Sequence, residues 1–437
     1  MEGASRSSGL IGRARELAEL SAVLDDAAAG RGALALLVGE PGIGKSRLAA
    51  EVSTLAAERG FRVGWGRAWE GGGAPAYYPW IRALEAIDGP PLSASGATAV
   101  DSDAARFQLF RRVMDGLIRR GAETPLLLVL DDLHAADTSS LRLLGFVARE
   151  LRGTRLAIVA TRRDVDPALT DDARALLARL GREARVLMLG RLDEAEVARL
   201  VRVHGPRLPD ELAGPVWAAT RGNPLFVSEV ARLLAADPEK ARTGQIPIPY
   251  TVRDLVHQRV EPLDAPARRL LEVAAVFGGE TDPALLARTL ALPQATSEAL
   301  AAGLEGAGLL VSRPGGRVAF PHGLIRDALY DEMPLDRRQR WHAAVADVLE
   351  ATGGDADVEV AHHALHAAAP GRLAERVSRA AAKLTAALSD EDAAALLARG
   401  AAMLAAAGDA RGAAELQVLA GRTLIRCGDV AGGRAAC

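Results

Sequence analysis

Lysine is scarce in this chain of 437 residues, standing only at positions 45, 240 and 383 although Lys and Arg together number 53. Genome composition accounts for such a bias better than function does, and it makes Lys45 stand out. Cysteine is limited to Cys427 and Cys437, which excludes a disulfide framework and a metal-binding cysteine cluster and fits a reducing cytoplasm. No apolar run approaches the ~20 residues of a membrane span, and the opening MEGASRSSGLIGR lacks the apolar core of a signal peptide. A cytoplasmic protein with no membrane contact is therefore expected. The net charge of −3 gives no pull toward nucleic acid, so no direct DNA binding by this chain is expected.

What is present is apolar residue in quantity, 49% of a chain too long for one core, and the length suggests roughly three units. Short β-type runs at 33–38, 61–66, 126–130, 156–160 and 185–189 alternate with amphipathic helical stretches. That alternation predicts a parallel sheet covered on both faces. Gly60, Gly153 and Gly181 fall where helix C-caps are expected. The stretch from Gly71 to Ser102 reads as a loop insertion. Asp193 and Glu196 offer a capping box that opens a helical segment. Thr243 to Tyr250 reads as a linker. Helices near 251–260, 265–276, 283–291 and 295–307, then two short strands about a Pro-Gly-Gly turn, predict a winged helix. From Asp336 onward Ala, Leu and Arg recur at helical spacing, and Gly-Asp at 408–409 and 428–429 hints at stacked hairpins of the tetratricopeptide kind. The expected organisation is an α/β P-loop NTPase core over 1–190, a helical lid over 191–242, a winged-helix-like domain over 250–335 and the start of an α-helical repeat over 336–437. The repeat stops where another helix should begin, so a truncated chain is expected.

The residues Gly39, Glu40, Pro41, Gly42, Ile43, Gly44, Lys45 and Ser46 match G-x-x-x-x-G-K-[ST] and stand between a strand and a helix, as phosphate binding requires. Backbone N–H groups would curl around the phosphates of ATP or ADP, Lys45 would neutralise the β and γ groups, and Ser46 would ligate Mg²⁺. Arg47 follows in the first turn. Leu126 to Asp132 reads as a buried strand ending in two acids, with Asp131 assigned to the Mg²⁺ shell. Asp132 would orient or deprotonate the attacking water, or merely cap the helix that begins near Asp137. The span between Lys45 and Asp131 holds an extra βα unit, so the Walker B strand is not expected to follow the P-loop strand directly. Arg162, at the C-terminal end of its strand, could sense the γ-phosphate or lie on the surface. The histidines at 362, 363 and 366 have the spacing of a metal pair, yet nothing completes a site and helix packing is expected. Packing is likewise expected of Tyr77, Tyr78 and Trp80.

Taken together, Leu10-Ile-Gly12-Arg13, GEPGIGKSRL, LDDLHAADTSSL, Ala160-Thr-Arg162, Arg221-Gly-Asn-Pro224 and Phe320-Pro-His322 resemble the STAND-type AAA-like ATPase module of large LuxR-family transcriptional regulators related to MalT. The resemblance spans residues 10 to about 370. It implies a switch in which ADP holds a closed monomer, ATP with an inducer favours self-association, and slow hydrolysis resets the system. It also implies an inducer or protein partner for the repeat region. On this resemblance Gly12 and Arg13 lie near the base and ribose, Pro224 packs near the adenine, and His322 contacts the β-phosphate of ADP. Ala135 departs from the usual Trp, as do Pro321 and Gly323 from the residues usual around His322. The winged helix would serve the switch and not DNA, since the segment lacks a basic helix face. Similar modules accompany adenylate cyclase and kinase domains.

Overall fold

Residues 10–69, 73–92, 102–166, 169–236, 256, 259–367 and 371–436 are described by a computed structural model of the chain. The expected linker at Thr243 to Tyr250 and most of the expected helix at 251–260 lie outside the described residues.

Helix α1 (Ala14–Ala28) leads to β1 (Ala33–Gly39) and α2 (Lys45–Glu58), followed by the strands β2 (Arg62–Arg67), β3 (Leu126–Asp131), β4 (Leu156–Arg163) and β5 (Arg185–Met188). The five strands form one parallel sheet in the order β2-β3-β4-β1-β5. The Walker B strand β3 is thus separated from β1 by β4, in line with the spacing argument. Every residue of β3 is buried, as expected for a strand covered on both faces. One face, with Leu37, Val129 and Val159, packs on α1 and α2. The other, with Leu36, Leu128 and Ile158, packs on α3 (Tyr78–Glu85), α4 (Ser102–Glu123), α5 (Thr138–Arg149) and α6 (Asp171–Glu183).

Two sequence expectations fail here. The stretch from Gly71 to Ser102 contains α3, whose Trp80 is fully buried and donates from Nε1 to the Ser140 carbonyl at 3.1 Å. Its glycines and prolines disguised a helix that is docked rather than looped out. Gly181 lies inside α6 and caps nothing, because the Thr170 N-cap and the amphipathic face carry the helix on to Glu183. Gly60 (φ +79°) and Gly153 (φ +82°) do adopt the left-handed conformation their turns need.

Beyond the sheet the chain is largely helical. The Asp193/Glu196 capping box opens α7 (Glu194–His204), which packs with α8 (Ala213–Thr220) and α9 (Pro224–Ala236). Then α10 (Ala265–Phe277), α11 (Pro283–Leu290) and α12 (Gln294–Gly306) precede an antiparallel hairpin of β6 (Val311–Arg313) and β7 (Arg317–Ala319). Next come α13 (Gly323–Glu332), α14 (Leu335–Thr352), α15 (Asp357–His366), α16 (Leu373–Ala386), α17 (Asp390–Ala406), α18 (Ala410–Arg426) and α19 (Val430–Ala436). The Gly408 turn (φ +83°) is closed by Asp409, whose carboxylate accepts from Gly412 N at 2.9 Å and starts α18. Among the described residues no helix is long and apolar enough to cross a membrane.

The repeat helices fold back on the sheet domain. Leu373, Val377, Leu397 and Leu416 share one core with α3 to α6. At the contact, Arg142 Nη1 meets Glu391 Oε1 at 2.6 Å, with Arg106 adding a second ion pair at 3.3 Å.

The expected histidine cluster is a packed one, and it is larger than the sequence showed. His342 of α14 joins His362, His363 and His366 of α15, with Nδ1 of His342 and Nδ1 of His363 2.8 Å apart. Tyr330 Oη bonds His342 Nε2 at 2.8 Å. Among the described residues no group of His, Cys, Asp or Glu is arranged to hold a metal ion.

Candidate nucleotide site

The P-loop leaves β1 at Gly39 and turns into α2 through Gly42 (φ +77°) and Gly44 (φ +101°), both in the region that favours glycine. A Cβ at Gly44 would stand in open space, whereas one at Gly42 would press on Leu225 Cβ at 2.9 Å and Asn223 Oδ1 at 3.0 Å. Lys45 opens α2 and is buried, with Nζ donating to the carbonyls of Gly39 at 2.8 Å and Glu40 at 2.9 Å. Burial pushes its ammonium below the usual range, and the Asp132 carboxylate opposes that shift. Arg47 sits on the exposed side of the first turn.

Asp131 is fully buried at the tip of β3. Its Oδ1 accepts from Ser46 Oγ at 2.9 Å and from Thr161 Oγ1 at 2.7 Å. Its Oδ2 accepts from Arg67 Nη2 at 2.7 Å and Nε at 2.9 Å. A buried carboxylate is tolerated only when paired and hydrogen-bonded in this way. Ser46 and Asp131 form the hard oxygen pair that Mg²⁺ would take, and the open glycine turn above them fits a phosphate chain. Lys45 and these two residues would then hold a Mg²⁺ nucleotide, the metal supplying charge neutralisation.

Asp132 is held in the left-handed conformation (φ +61°), its N–H donating to Thr161 Oγ1 at 2.9 Å. It does not cap α5. That role belongs to Asp137, whose Oδ1 accepts from Ser140 N at 2.8 Å. The helix-capping alternative that the sequence left open for Asp132 is therefore excluded.

Strand alternation separates Arg162 from this constellation. Thr161 points to the α1/α2 face, where the P-loop lies, so Arg162 shares the opposite face with Ala160 and Ile158. Its Nη1 donates to the Arg163 carbonyl at 3.0 Å. Arg163 takes the P-loop face instead, paired in register with Gly39. Its charge acts on Lys45, and its Nη2 lies 3.5 Å from Asp327 of α13. The arginine at the end of β4 was legible, but its register was not.

Arg13 is buried and donates from Nη2 to the carbonyls of Ile43 at 3.0 Å and Gly190 at 2.7 Å. It ties the P-loop to the start of the α7–α9 segment. Gly12 is pressed against that segment too, since a Cβ there would meet the Glu196 carboxyl at 2.6 Å. Pro224 begins α9 between two residues that grip the loop: Asn223 Nδ2 donates to Pro41 O at 3.1 Å, and Leu225 N donates to Gly42 O at 3.3 Å. Glu40 adds an exposed ion pair with Arg191 at 2.7 Å. His322 is the residue just before α13 and is exposed. The surrounding protein, then the charges of Arg232, Arg67 and Arg259, push its imidazole down to about 4, so it is neutral at pH 7. Arg67, Thr161, Arg163 and Asn223 are the members that sequence reasoning missed.

The sheet domain is similar to known AAA ATPase domains. The family model of that description matches residues 9–159. An uncharacterized protein of Rhizobium meliloti (strain 1021) is 25% identical over 422 residues, covering 84% of this chain and 40% of that relative. The crystal structure of a Signal Transduction ATPase with Numerous Domains (STAND) protein with a tetratricopeptide repeat sensor, from Pyrococcus horikoshii, superimposes with a TM-score of 0.56. It is 14% identical, and the match covers 98% of this chain and 63% of that one. The shared property is the fold: a parallel-sheet P-loop core followed by a largely helical C-terminal region. The chain spans less than two thirds of either of these proteins.

Proposed function

We propose that the chain is a nucleotide switch of the STAND type that binds ATP and ADP with Mg²⁺, hydrolyses ATP slowly and couples the bound nucleotide to self-association. The observation that carries this reading is the grip of Asn223 and Leu225 on the backbone of Pro41 and Gly42, because a change at the phosphates then moves the α7–α9 segment directly. Lys45 and the loop amides bind phosphate, Ser46 and Asp131 hold the metal shell, Asp132 positions water, and His322 meets the nucleotide as a neutral donor. Gly12, Arg13 and Pro224 border the nucleoside.

The output is that of a LuxR-family transcriptional regulator, with an inducer or protein partner read by the repeat helices. The reading rests on the motif order together with the packing of those helices on the ATPase core. An adenylate cyclase or kinase output, or an ATP-binding scaffold, is the competing reading. Light scattering after size exclusion, with ADP and then a non-hydrolysable ATP analogue, tests the switch. Mass should rise with the analogue alone, and Lys45→Ala should abolish the response. Unchanged mass with nucleotide demonstrably bound would leave only the scaffold.

A further inference from the structure

Away from the nucleotide cleft, α10 and α14 leave a groove of about 530 Å³ between them. That size lies within the roughly 300–1,000 Å³ of small-molecule sites. Four guanidinium groups line it, Arg268 and Arg269 from α10 and Arg337 and Arg340 from α14. Neither helix alone shows a strongly basic face in sequence. The charge concentrates only because two arginine pairs meet across the groove.

The single lining carboxylate, Glu272, is spent on organisation. Its Oε1 accepts from Arg337 Nη1 at 2.8 Å and its Oε2 from Trp341 Nε1 at 3.0 Å. Arg268 donates to the carbonyls of Leu263 at 2.8 Å and Glu261 at 3.0 Å, and Arg269 to that of Ala265 at 3.4 Å. Carbonyls orient a guanidinium without cancelling its charge. Arg340 meets Asp336 at 3.0 Å, but both side chains are more than 70% exposed, where such a pair contributes little. Between the charges lie the indole of Trp341, two alanines and the arginine stems, an apolar floor under a cationic rim.

An apolar floor that includes the planar indole of Trp341, with paired forks from two helices, selects for charge and shape together. Arginine forks recognise carboxylate and phosphate bidentately. Nucleic acid is a poorer fit. The helix that precedes the β6–β7 hairpin, where a winged helix would read DNA, is QATSEALAAGLEG and has no basic residue. We propose that the α10–α14 groove binds a small organic dianion or polyanion whose carboxylate or phosphate groups flank an apolar, planar body.

Calorimetric titration of the whole chain, saturated with Mg²⁺ and ADP so that the P-loop is occupied, tests this with trimesate (benzene tricarboxylate) as probe. Trimesate should bind at least about tenfold more tightly than the uncharged triamide or inorganic pyrophosphate. The Arg269→Ala/Arg340→Ala double variant should weaken it by about tenfold or more, with ADP affinity unchanged. Glu272→Gln keeps an acceptor for Trp341 while removing the carboxylate that lines the groove, and should tighten trimesate by about threefold, an outcome misfolding cannot imitate. Absence of trimesate binding, or binding indifferent to these substitutions, overturns the proposal. So does pyrophosphate binding as tightly as trimesate, which would remove the planar body. Displacement of the probe by a thymidine oligonucleotide, lost in the double variant, would reassign the face to nucleic acid.

Discussion

Ser139 of the ATPase core and Ser389 of the repeat helices share a hydrogen bond of 2.8 Å between their hydroxyls, buried where α5 meets α17. Asp137 and Asp392 flank this pair. Asp137 caps α5 and Asp392 Oδ2 accepts from Ser389 Oγ at 2.6 Å. Burial and then the Asp392 charge raise Asp137 to about 6, and burial raises Asp392 in turn.

A carboxyl with a raised folded pKa binds more protons folded than unfolded, so its contribution is present at low pH and is lost as pH rises through about 6. The docked repeat should therefore loosen from the core between about pH 5 and about pH 7. Asp392→Asn should hold it closed at neutral pH and raise stability there by on the order of 1 kcal/mol. Hydrogen exchange of α5 and α17 in both proteins, at both pH values, checks this. Equal exchange throughout would refute it.

The histidine cluster predicts the reverse trend in another place. Burial lowers His342 to about 3 and holds His362 and His363 well below the ordinary imidazole range. A base with a depressed folded pKa contributes stability above its unfolded value of about 6.5, and that stability is lost as pH falls toward the folded value. Amides of α14 and α15 should thus lose protection from about pH 7.5 to about pH 5.5 while α5 and α17 gain it. Glu359, raised to about 7 by burial beside His363, pulls the other way, so the loss is the net of the histidines over this carboxyl. Parallel behaviour of the two regions would contradict the assignment.

Thr161 supports both acids at once. Its hydroxyl donates to Asp131 and accepts from the Asp132 N–H. Thr161→Val should lower ATP turnover by about tenfold or more. The unpaired buried groups should cost about 1–3 kcal/mol of stability, with nucleotide affinity changed far less. Turnover equal to wild type would show that the pair needs no such support.

Asn223→Ala removes the bond to Pro41 and the turn bond to Leu225 N at 3.1 Å. Each is worth about 1 kcal/mol, so ADP should dissociate several times faster in stopped flow. An unaltered rate would mean that the α7–α9 segment does not report on the phosphates.

Arg163→Ala should reduce discrimination between ATP and ADP, and Arg162→Ala should leave it intact. Strand register decides this, and comparing the two affinities in each variant checks it.

The phosphate loop and both acids were legible because their chemistry sits in contiguous residues whose flanking strand and helix show in the pattern. The strand positions were legible for the same reason. Arg67 and Thr161 were not, because they reach Asp131 through the pairing of β2 with β3 and the adjacency of β3 and β4, which no single stretch encodes. Arg162 and Arg163 differ by one position, and period-two alternation sends them to opposite faces. His342 lies far in sequence from the other histidines, so the cluster looked like a trio on one helix. Helix α3 was hidden by the glycine and proline around it, since its stability comes from burying Trp80 rather than from local propensity.

Gly66 lies so close to α3 that a Cβ there would fall 1.6 Å from the Pro79 carbonyl oxygen. The next residue along is Arg67, which delivers its guanidinium to Asp131. A random mutational screen for lost ATP hydrolysis should therefore return this glycine alongside the acids. It carries no functional group, yet the alignment of the Asp131 carboxylate depends on its emptiness.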